Sequence, residues 1–370
     1  MKTIGILGGG QLSRMLILKA HEMGLGQQVY VMSENAQDPA AQVTNLWTKG
    51  SFSRLQDLRK FLKKVDIVTF ESEFMDCSLL KSAKANAEIH FAPSLKVMTT
   101  LQDRLLQKQS LKKNALPTSD FLEVSNYIQL VHAYNHLNQG HGIVLKARKF
   151  GYDGYGTFVI KSIKDVETFT PYLNNPVGFI AERFIPFDRE LSLIVVRNKK
   201  NDIRFLPLCE SFQKDSRCFS VHGPIQKNIS SLKKNIERYL KQINYQGVIA
   251  FELFETKNKI LINETAPRVH NTGHFSQNAL TTDQFGYHLL AILNKELPSS
   301  KSITPGFAMI NLLGTSSQPP QLKTNTAGFL HWYGKLENRP NRKMGHLNII
   351  DSTPQKALQQ AKKLYKEFKL

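Results

Sequence analysis

The chain is poor in cysteine, in acidic residues and in long apolar runs. Three cysteines in 370 residues, Cys77, Cys209 and Cys218, form an odd set without metal-ligand spacing. They exclude a disulfide scaffold and read as reduced thiols of a cytoplasmic protein. No apolar run approaches the roughly 18 residues that a membrane span needs, so no membrane partner is expected. The apolar start after Met1-Lys2 is interrupted by Gly8-Gly9-Gly10-Gln11 and Arg14 too early for a signal peptide. Asp and Glu number 30 against 49 Lys and Arg, a net charge of +19 that would attract polyanions. The basic residues are dispersed, as in Arg59-Lys60 and Lys112-Lys113, and read as a solvated surface, so no nucleic-acid partner is expected.

What is present fits an ordinary globular chain, with 41% hydrophobic residues. At about 150 residues per domain, two or three domains are expected. Near the N-terminus, strand patterns at 3–7, 28–32, 66–70 and 89–91 alternate with helical patterns at 12–23, 55–63 and 78–85. That alternation predicts an α/β unit with a parallel sheet. A helical connector over 101–114 follows, then a smaller unit over 116–181. Antiparallel strand signals come next, at 179–184, 190–196, 203–208, 248–254 and 259–263. The C-terminal segment reads as strands at 308–312 and 329–333, a basic loop and a final helix.

Gly8-Gly9-Gly10-Gln11-Leu12-Ser13 lies between a strand and a helix, where backbone N–H groups can approach a phosphate. With Glu34 after the second strand it approximates a dinucleotide fingerprint. A tight turn that binds no dinucleotide explains the same residues.

The strongest local pattern runs from Ala250 to Glu264, two alternating apolar runs around Lys257-Asn258-Lys259. A hairpin centred on Asn258 sets Glu252 opposite Glu264, on one face. Facing carboxylates coexist readily with a divalent cation between them, and oxygen ligands with phosphate oxygens suit Mg²⁺. Asn263 has the wrong parity to join them unless a bulge intervenes, and Glu255, also of opposite parity, reads as a solvated charge.

Lys146 ends a strand, and Gly151-Tyr152-Asp153-Gly154-Tyr155-Gly156-Thr157 follows as a loop suited to covering phosphates. Glu182 and Glu190 bracket Arg183-Phe184-Ile185, whose backbone could receive an adenine while Glu190 holds ribose hydroxyls. His270 and His274 have zinc-like spacing, but Pro267 and Gly273 oppose a regular helix and no third ligand is evident, so hydrogen-bonding roles are expected.

Taken together, these stretches resemble the ATP-grasp superfamily and, more narrowly, the 5-(carboxyamino)imidazole ribonucleotide synthases. The resemblance runs nearly end to end through Gly8–Leu12, Gln102-Asp103-Arg104-Leu105, Gly151–Gly154, Asn263-Glu264-Thr265-Ala266-Pro267-Arg268-Val269-His270-Asn271, Met309–Leu312 and Arg342–His346. It implies three domains: a Rossmann-like unit over 1–100, an ATP-grasp domain over 101–300 with antiparallel sheets and a mobile flap subdomain, and a small unit over 301–370. It implies a ligase that uses ATP, Mg²⁺ and bicarbonate to carboxylate 5-aminoimidazole ribonucleotide, and a cytoplasmic homodimer.

By the same resemblance, ATP would meet Arg104, Lys146, residues 151–157, Glu182, Arg183, Phe184, Ile185, Glu190, Gln213, Asn263 and Glu264. Metal would sit on Glu252 and Glu264. Arg268, Tyr152 and Asp153 would be catalytic, and the ribonucleotide would also meet Glu73, His270, Asn271, Lys335, Arg342 and Lys343. Three departures stand out: Tyr155 where the family carries Lys or Arg, Gln213 in place of a histidine near the adenine, and Phe74 in place of Asn after Glu71-Ser72-Glu73. The nearest alternative is a formate-dependent glycinamide ribonucleotide transformylase.

Overall fold

A computed structural model of the chain describes residues 2–84, 88–151, 155–174, 176–315 and 327–368. Strands β1 (Ile4–Leu7), β2 (Val29–Ser33), β3 (Trp47–Lys49), β4 (Ile67–Phe70) and β5 (His90–Phe91) form a sheet in the order β3-β2-β1-β4-β5. Every pairing in it is parallel. All four β1 residues are buried, as expected for a strand covered on both faces. Helix Gln11–Glu22 starts directly after the glycine loop and packs Leu12, Leu16 and Ala20 inward. The unanticipated β3 is short and only half-buried, so its pattern is weak.

The expected 101–114 connector is two helices, Leu95–Leu101 and Arg104–Lys113. Asp103 makes the break, because its carboxylate caps the second helix by accepting from Leu105 N (3.0 Å) and Leu106 N (3.3 Å). Beyond it, β6 (Phe121–Val124), β7 (Ile143–Ala147), β8 (Thr157–Ile160) and β9 (Phe179–Arg183) make a small antiparallel sheet, ordered β6-β9-β7-β8. Helix Tyr127–Leu137 closes its core through Leu130, Ala133 and Leu137.

The remaining strands build one large antiparallel sheet. They are β10 (Arg189–Arg197), β11 (Ile203–Phe205), β12 (Cys209–Lys214), β13 (Arg217–Gly223), β14 (Gly247–Glu255), β15 (Ile260–Ala266), β16 (Gly306–Leu313), β17 (Phe329–Trp332) and β18 (Lys343–Asp351). Their order is β15-β14-β10-β12-β13-β16-β18-β17, with β11 on β10. The C-terminal strands thus continue the central sheet through β13 and β16, with Ser220 opposite Ile310. Most of the expected basic loop is strand instead, since β18 begins at Lys343. The three sheets give a mixed α/β architecture: an N-terminal parallel sheet, a small antiparallel sheet and a large antiparallel sheet that runs on into the C-terminal strands. Thr69 on β4 ties the first layer to the second through its hydroxyl, 2.8 Å from His288 Nε2. No helix among the described residues is long and apolar enough to cross a membrane. Cys77, Cys209 and Cys218 are buried and form no disulfide among the described residues.

Where β17 and β18 pair at the end of the large sheet lies a stack of imidazoles. His346 is 4.5 Å from His331 and 4.8 Å from His274, ring centre to ring centre. Tyr333 Oη, Asn278 Oδ1 and Gln284 Nε2 reach His346, His331 and His274 within 2.9 Å. Burial holds all three neutral, pushing His331 down to about 4 and His274 and His346 well below the ordinary 6.5. The unfolded chain takes up protons near pH 6.5 that the fold refuses, so this contribution is complete above 6.5 and drains as pH falls toward 4. Thermal melts followed by circular dichroism should show the midpoint dropping across that window. His331→Asn should flatten the drop by several degrees, and an unchanged slope would contradict the account.

Candidate active site

A cleft of about 650 Å³ opens where the three layers meet. One wall is the hairpin β14–β15. Glu255 pairs with Ile260 and Leu253 with Ile262, but Glu252 pairs with Glu264, so the register slips by one residue. Asn263 is the extra residue of a β-bulge. The bulge removes the parity objection: Glu252, Asn263 and Glu264 all line the cleft. Glu255 is not a solvated charge. It is only 6% exposed and is ion-paired with Arg189 and with Lys227 (2.5 Å). Burial alone would raise its pKa, and the two cations reverse the direction.

The roof is cationic. Arg104 Nη2 lies 3.2 Å from Glu264 Oε1, and Arg104 also donates to Ala147 O (2.9 Å) and Gly151 O (3.1 Å). A Cβ at Gly151 would fall 2.9 Å from Tyr155 O and 2.2 Å from Arg104 Nη1, so a larger residue would push on the backbone and displace the arginine. Lys146 Nζ lies 3.0 Å from Glu182 Oε1 and donates to Asn263 Oδ1 at 3.0 Å. Glu182 is also held by Lys108, at 2.8 Å. Desolvation opposes its charge, yet the two lysines bring its pKa down to about 2. Lys108 escaped the sequence reading. Its signal was a lysine on the inward stripe Leu105–Lys108–Leu111, where an aliphatic residue would be ordinary.

The floor carries the other charges. Arg268 grips Glu73 with two contacts, Nε–Oε2 at 2.5 Å and Nη2–Oε1 at 3.2 Å. That pairing outweighs desolvation and keeps the Glu73 pKa below its ordinary value. His270 Nε2 is 3.3 Å from Glu252 Oε1, and its Nδ1 is 2.8 Å from Thr272 Oγ1. Buried Gln284 fixes this loop, accepting from His270 N and donating to His270 O, both at 2.8 Å. Asn271 exchanges two amide hydrogen bonds with Asn311, at 3.0 and 2.7 Å. The hydrogen-bonding roles expected for His270 and His274 hold in this geometry.

Thr157, Arg183, Phe184, Ile185, Glu190, Gln213 and Lys343 also line the cleft. Tyr155 and Gly156 do not, and Tyr155 is 73% exposed. Lys335 lies beside the cleft, donating to Lys343 O at 2.7 Å, and Arg342 donates to Glu337 O at 2.9 Å. Tyr152, Asp153 and Gly154 lie outside the described residues.

The first glycine loop is already filled. Glu71 accepts from Gly10 N at 2.6 Å and Leu12 N at 3.1 Å, taking the place a phosphate would need. A Cβ at Gly8, whose φ is +123°, would collide with Glu71 at 2.6 Å. Glu34 instead accepts from Ser51 Oγ at 2.7 Å. The dinucleotide reading fails on this occupant, which lies 61 residues away from Gly10.

Hard oxygen donors from Glu252, Asn263 and Glu264 share one wall, which fits a magnesium ion that takes its remaining ligands from phosphates and water. Among the described residues there is no group of three or more His, Cys, Asp or Glu able to hold a metal by themselves.

Two antiparallel sheets enclosing a cleft with lysines and arginine above a paired-carboxylate strand define an ATP-grasp enzyme. Residues 109–285 match the family model of the ATP-grasp domain, 1–102 that of the ribonucleotide synthetase preATP-grasp domain, and 308–360 that of the phosphoribosylaminoimidazole carboxylase C-terminal domain. The chain is 32% identical over 363 residues to the N5-carboxyaminoimidazole ribonucleotide synthase of Synechococcus elongatus, covering 94% of this chain and 89% of that one. The ADP complex of the Staphylococcus aureus N5-carboxyaminoimidazole synthetase superposes with a TM-score of 0.88 at 28% identity, covering 98% of this chain and 97% of that one. The Aspergillus clavatus N5-carboxyaminoimidazole synthase, with ADP and 5-aminoimidazole ribonucleotide, gives 0.83 at 26% identity, covering 99% and 98%. The chain belongs to the N5-carboxyaminoimidazole ribonucleotide synthase family.

Glu190 is an unbalanced acid of the site, as is Glu71, whose pKa burial also raises. Burial and the nearby Glu252 push the Glu190 pKa up to about 7, against the pull of Gln213 and Lys146. Because the folded value exceeds the unfolded 4.5, its contribution to stability is complete below 4.5 and is lost as pH rises through 7. Glu190→Gln should therefore raise the melting midpoint at pH 8 while leaving it nearly unchanged at pH 4.5. Equal shifts at both pH values would contradict this.

Proposed function

We propose that this chain carboxylates the exocyclic amine of 5-aminoimidazole ribonucleotide at the expense of ATP and bicarbonate, as an enzyme of purine biosynthesis. The observation that carries the reading is one cleft holding both a cationic roof over Glu252, Asn263 and Glu264 and the Arg268–Glu73 floor. Bicarbonate is a poor electrophile. One of its oxygens attacks the γ-phosphorus of ATP, expelling ADP and forming carboxyphosphate. The amine nitrogen then attacks the carboxyl carbon, phosphate leaves, and the nitrogen loses a proton.

Lys146 and Arg104 lie where they can neutralise phosphate oxygens. Strand-end residues Glu182, Arg183, Phe184 and Ile185 would take the adenine, and Glu190, hydrogen-bonded to Gln213, the ribose. Magnesium held by Glu252 and Glu264 would screen the transferring phosphoryl group. Arg268 would steady the bicarbonate-derived anion, with Glu73 keeping its guanidinium oriented. His270 and Asn271 present the aminoimidazole face, and Lys343, with Lys335 and Arg342 near it, would hold the ribonucleotide phosphate. A cytoplasmic homodimer completes the proposal. The S. elongatus relative, named for a carboxyamino product, supports carboxylation over the formyl transfer of a glycinamide ribonucleotide transformylase.

In a coupled assay, ADP release should require bicarbonate and 5-aminoimidazole ribonucleotide together. Release driven by formate and glycinamide ribonucleotide would replace the proposal with the transformylase. Glu264→Gln should lower kcat by about 100-fold or more with the fold intact. Turnover near wild type would exclude the metal-holding role.

A further inference from the structure

Lys108 is a charged side chain that the reaction as described leaves unused. It sits on helix Arg104–Lys113, 2% exposed, and does not line the cleft. Its ammonium is locked by Thr118 Oγ1 (2.7 Å), Ser119 Oγ (2.9 Å) and Glu182 Oε2 (2.8 Å). Ser119 also donates to Glu182 Oε2 at 2.8 Å, so one carboxylate oxygen is held entirely from behind. The other oxygen, Oε1, faces Lys146 at 3.0 Å. Lys146 lines the cleft and also holds Asn263. One carboxylate is thus shared by a fixed lysine behind it and a cleft-wall lysine in front.

The sharing has a consequence for nucleotide binding. A buried carboxylate cannot lose its last cation without a large penalty. If Lys146 were the sole partner of Glu182, it would be held back from any phosphate in the cleft. With Lys108 in place, Glu182 keeps a cation when Lys146 turns away. We propose that Lys108 is a positioning residue: it holds the Glu182 charge so that Lys146 is free to engage the nucleotide phosphates. This rests on the nucleotide role given above to Lys146 and Glu182. Both lysines hold Glu182 ionised against desolvation, while burial lowers the Lys108 pKa against the pull of the same carboxylate, so the role given to Lys108 stands on the contacts that fix its ammonium.

Calorimetry on the whole protein separates this from a merely structural role, with MgADP and adenosine as probes. Lys108→Met should weaken MgADP by about tenfold or more and leave adenosine, which has no phosphate, unchanged. Equal weakening of both probes, or of neither, overturns the proposal. In a Glu182→Gln background the charge needing support is gone, so adding Lys108→Met should change MgADP affinity less than twofold. A tenfold loss there also overturns it, and this pair decides the matter if Lys108→Met alone does not fold. Wild-type protein that fails to bind MgADP would sink the underlying nucleotide reading instead.

Discussion

A carboxylate removed from water must find a positive partner or surrender its charge. The cleft answers this demand acid by acid. Glu73 has Arg268, Glu264 has Arg104 and Glu182 has two lysines, while Glu252 takes a hydrogen bond from His270. Where the answer is incomplete the acid gives way, as at Glu190, whose pKa is driven up to about 7. Glu71 gives way too: Gly10 N and Leu12 N donate to it and Lys335 pulls the same way, yet burial still raises its pKa. A site built of balanced pairs can accept phosphates above and a divalent cation between its acids by exchanging partners, without first burying an unpaired charge.

The fold exists to bring these pairs together from distant parts of the chain. Glu73 follows a strand of the parallel sheet, while Arg268 follows β15 of the large antiparallel sheet. Lys146 lies on β7 and Glu182 on β9, neighbours in the small sheet, with Lys146 opposite Ile180. The bulge at Asn263 is the local device that turns an alternating strand into a wall of three adjacent donors. The Thr69–His288 hydrogen bond and the cap at Asp103, itself ion-paired with Arg148 at 2.8 Å, connect the layers on either side of the cleft.

Much of this was legible in the residues. The Glu252–Glu264 pairing expected from the hairpin is present, although the turn is centred between Lys257 and Asn258 and the bulge restores that pairing; alternating strands and helices gave the parallel sheet with its glycine loop. The slip that admits Asn263 was not legible, because a one-residue bulge is set by pairing rather than by pattern. Glu255 read as solvent-exposed because its partners Arg189 and Lys227 are 66 and 28 positions away. The glycine loop read as a phosphate cradle for the same reason, since Glu71 reaches it only through the β1–β4 pairing. Strand β18 was hidden by the basic residues at its start, and β3 and β6 are short and partly exposed. Lys108 required knowing that its helix face is buried against Glu182.

The central proposal is that Glu252 and Glu264, now on His270 and Arg104, would hold a divalent cation beneath bound phosphates. Its most direct test is a crystal structure with a nonhydrolysable ATP analogue and Mn²⁺, locating the metal by its anomalous signal. The account predicts a peak coordinated by both carboxylates and by phosphate oxygens. A peak elsewhere, with Glu252 still on His270 and Glu264 still on Arg104, would contradict it.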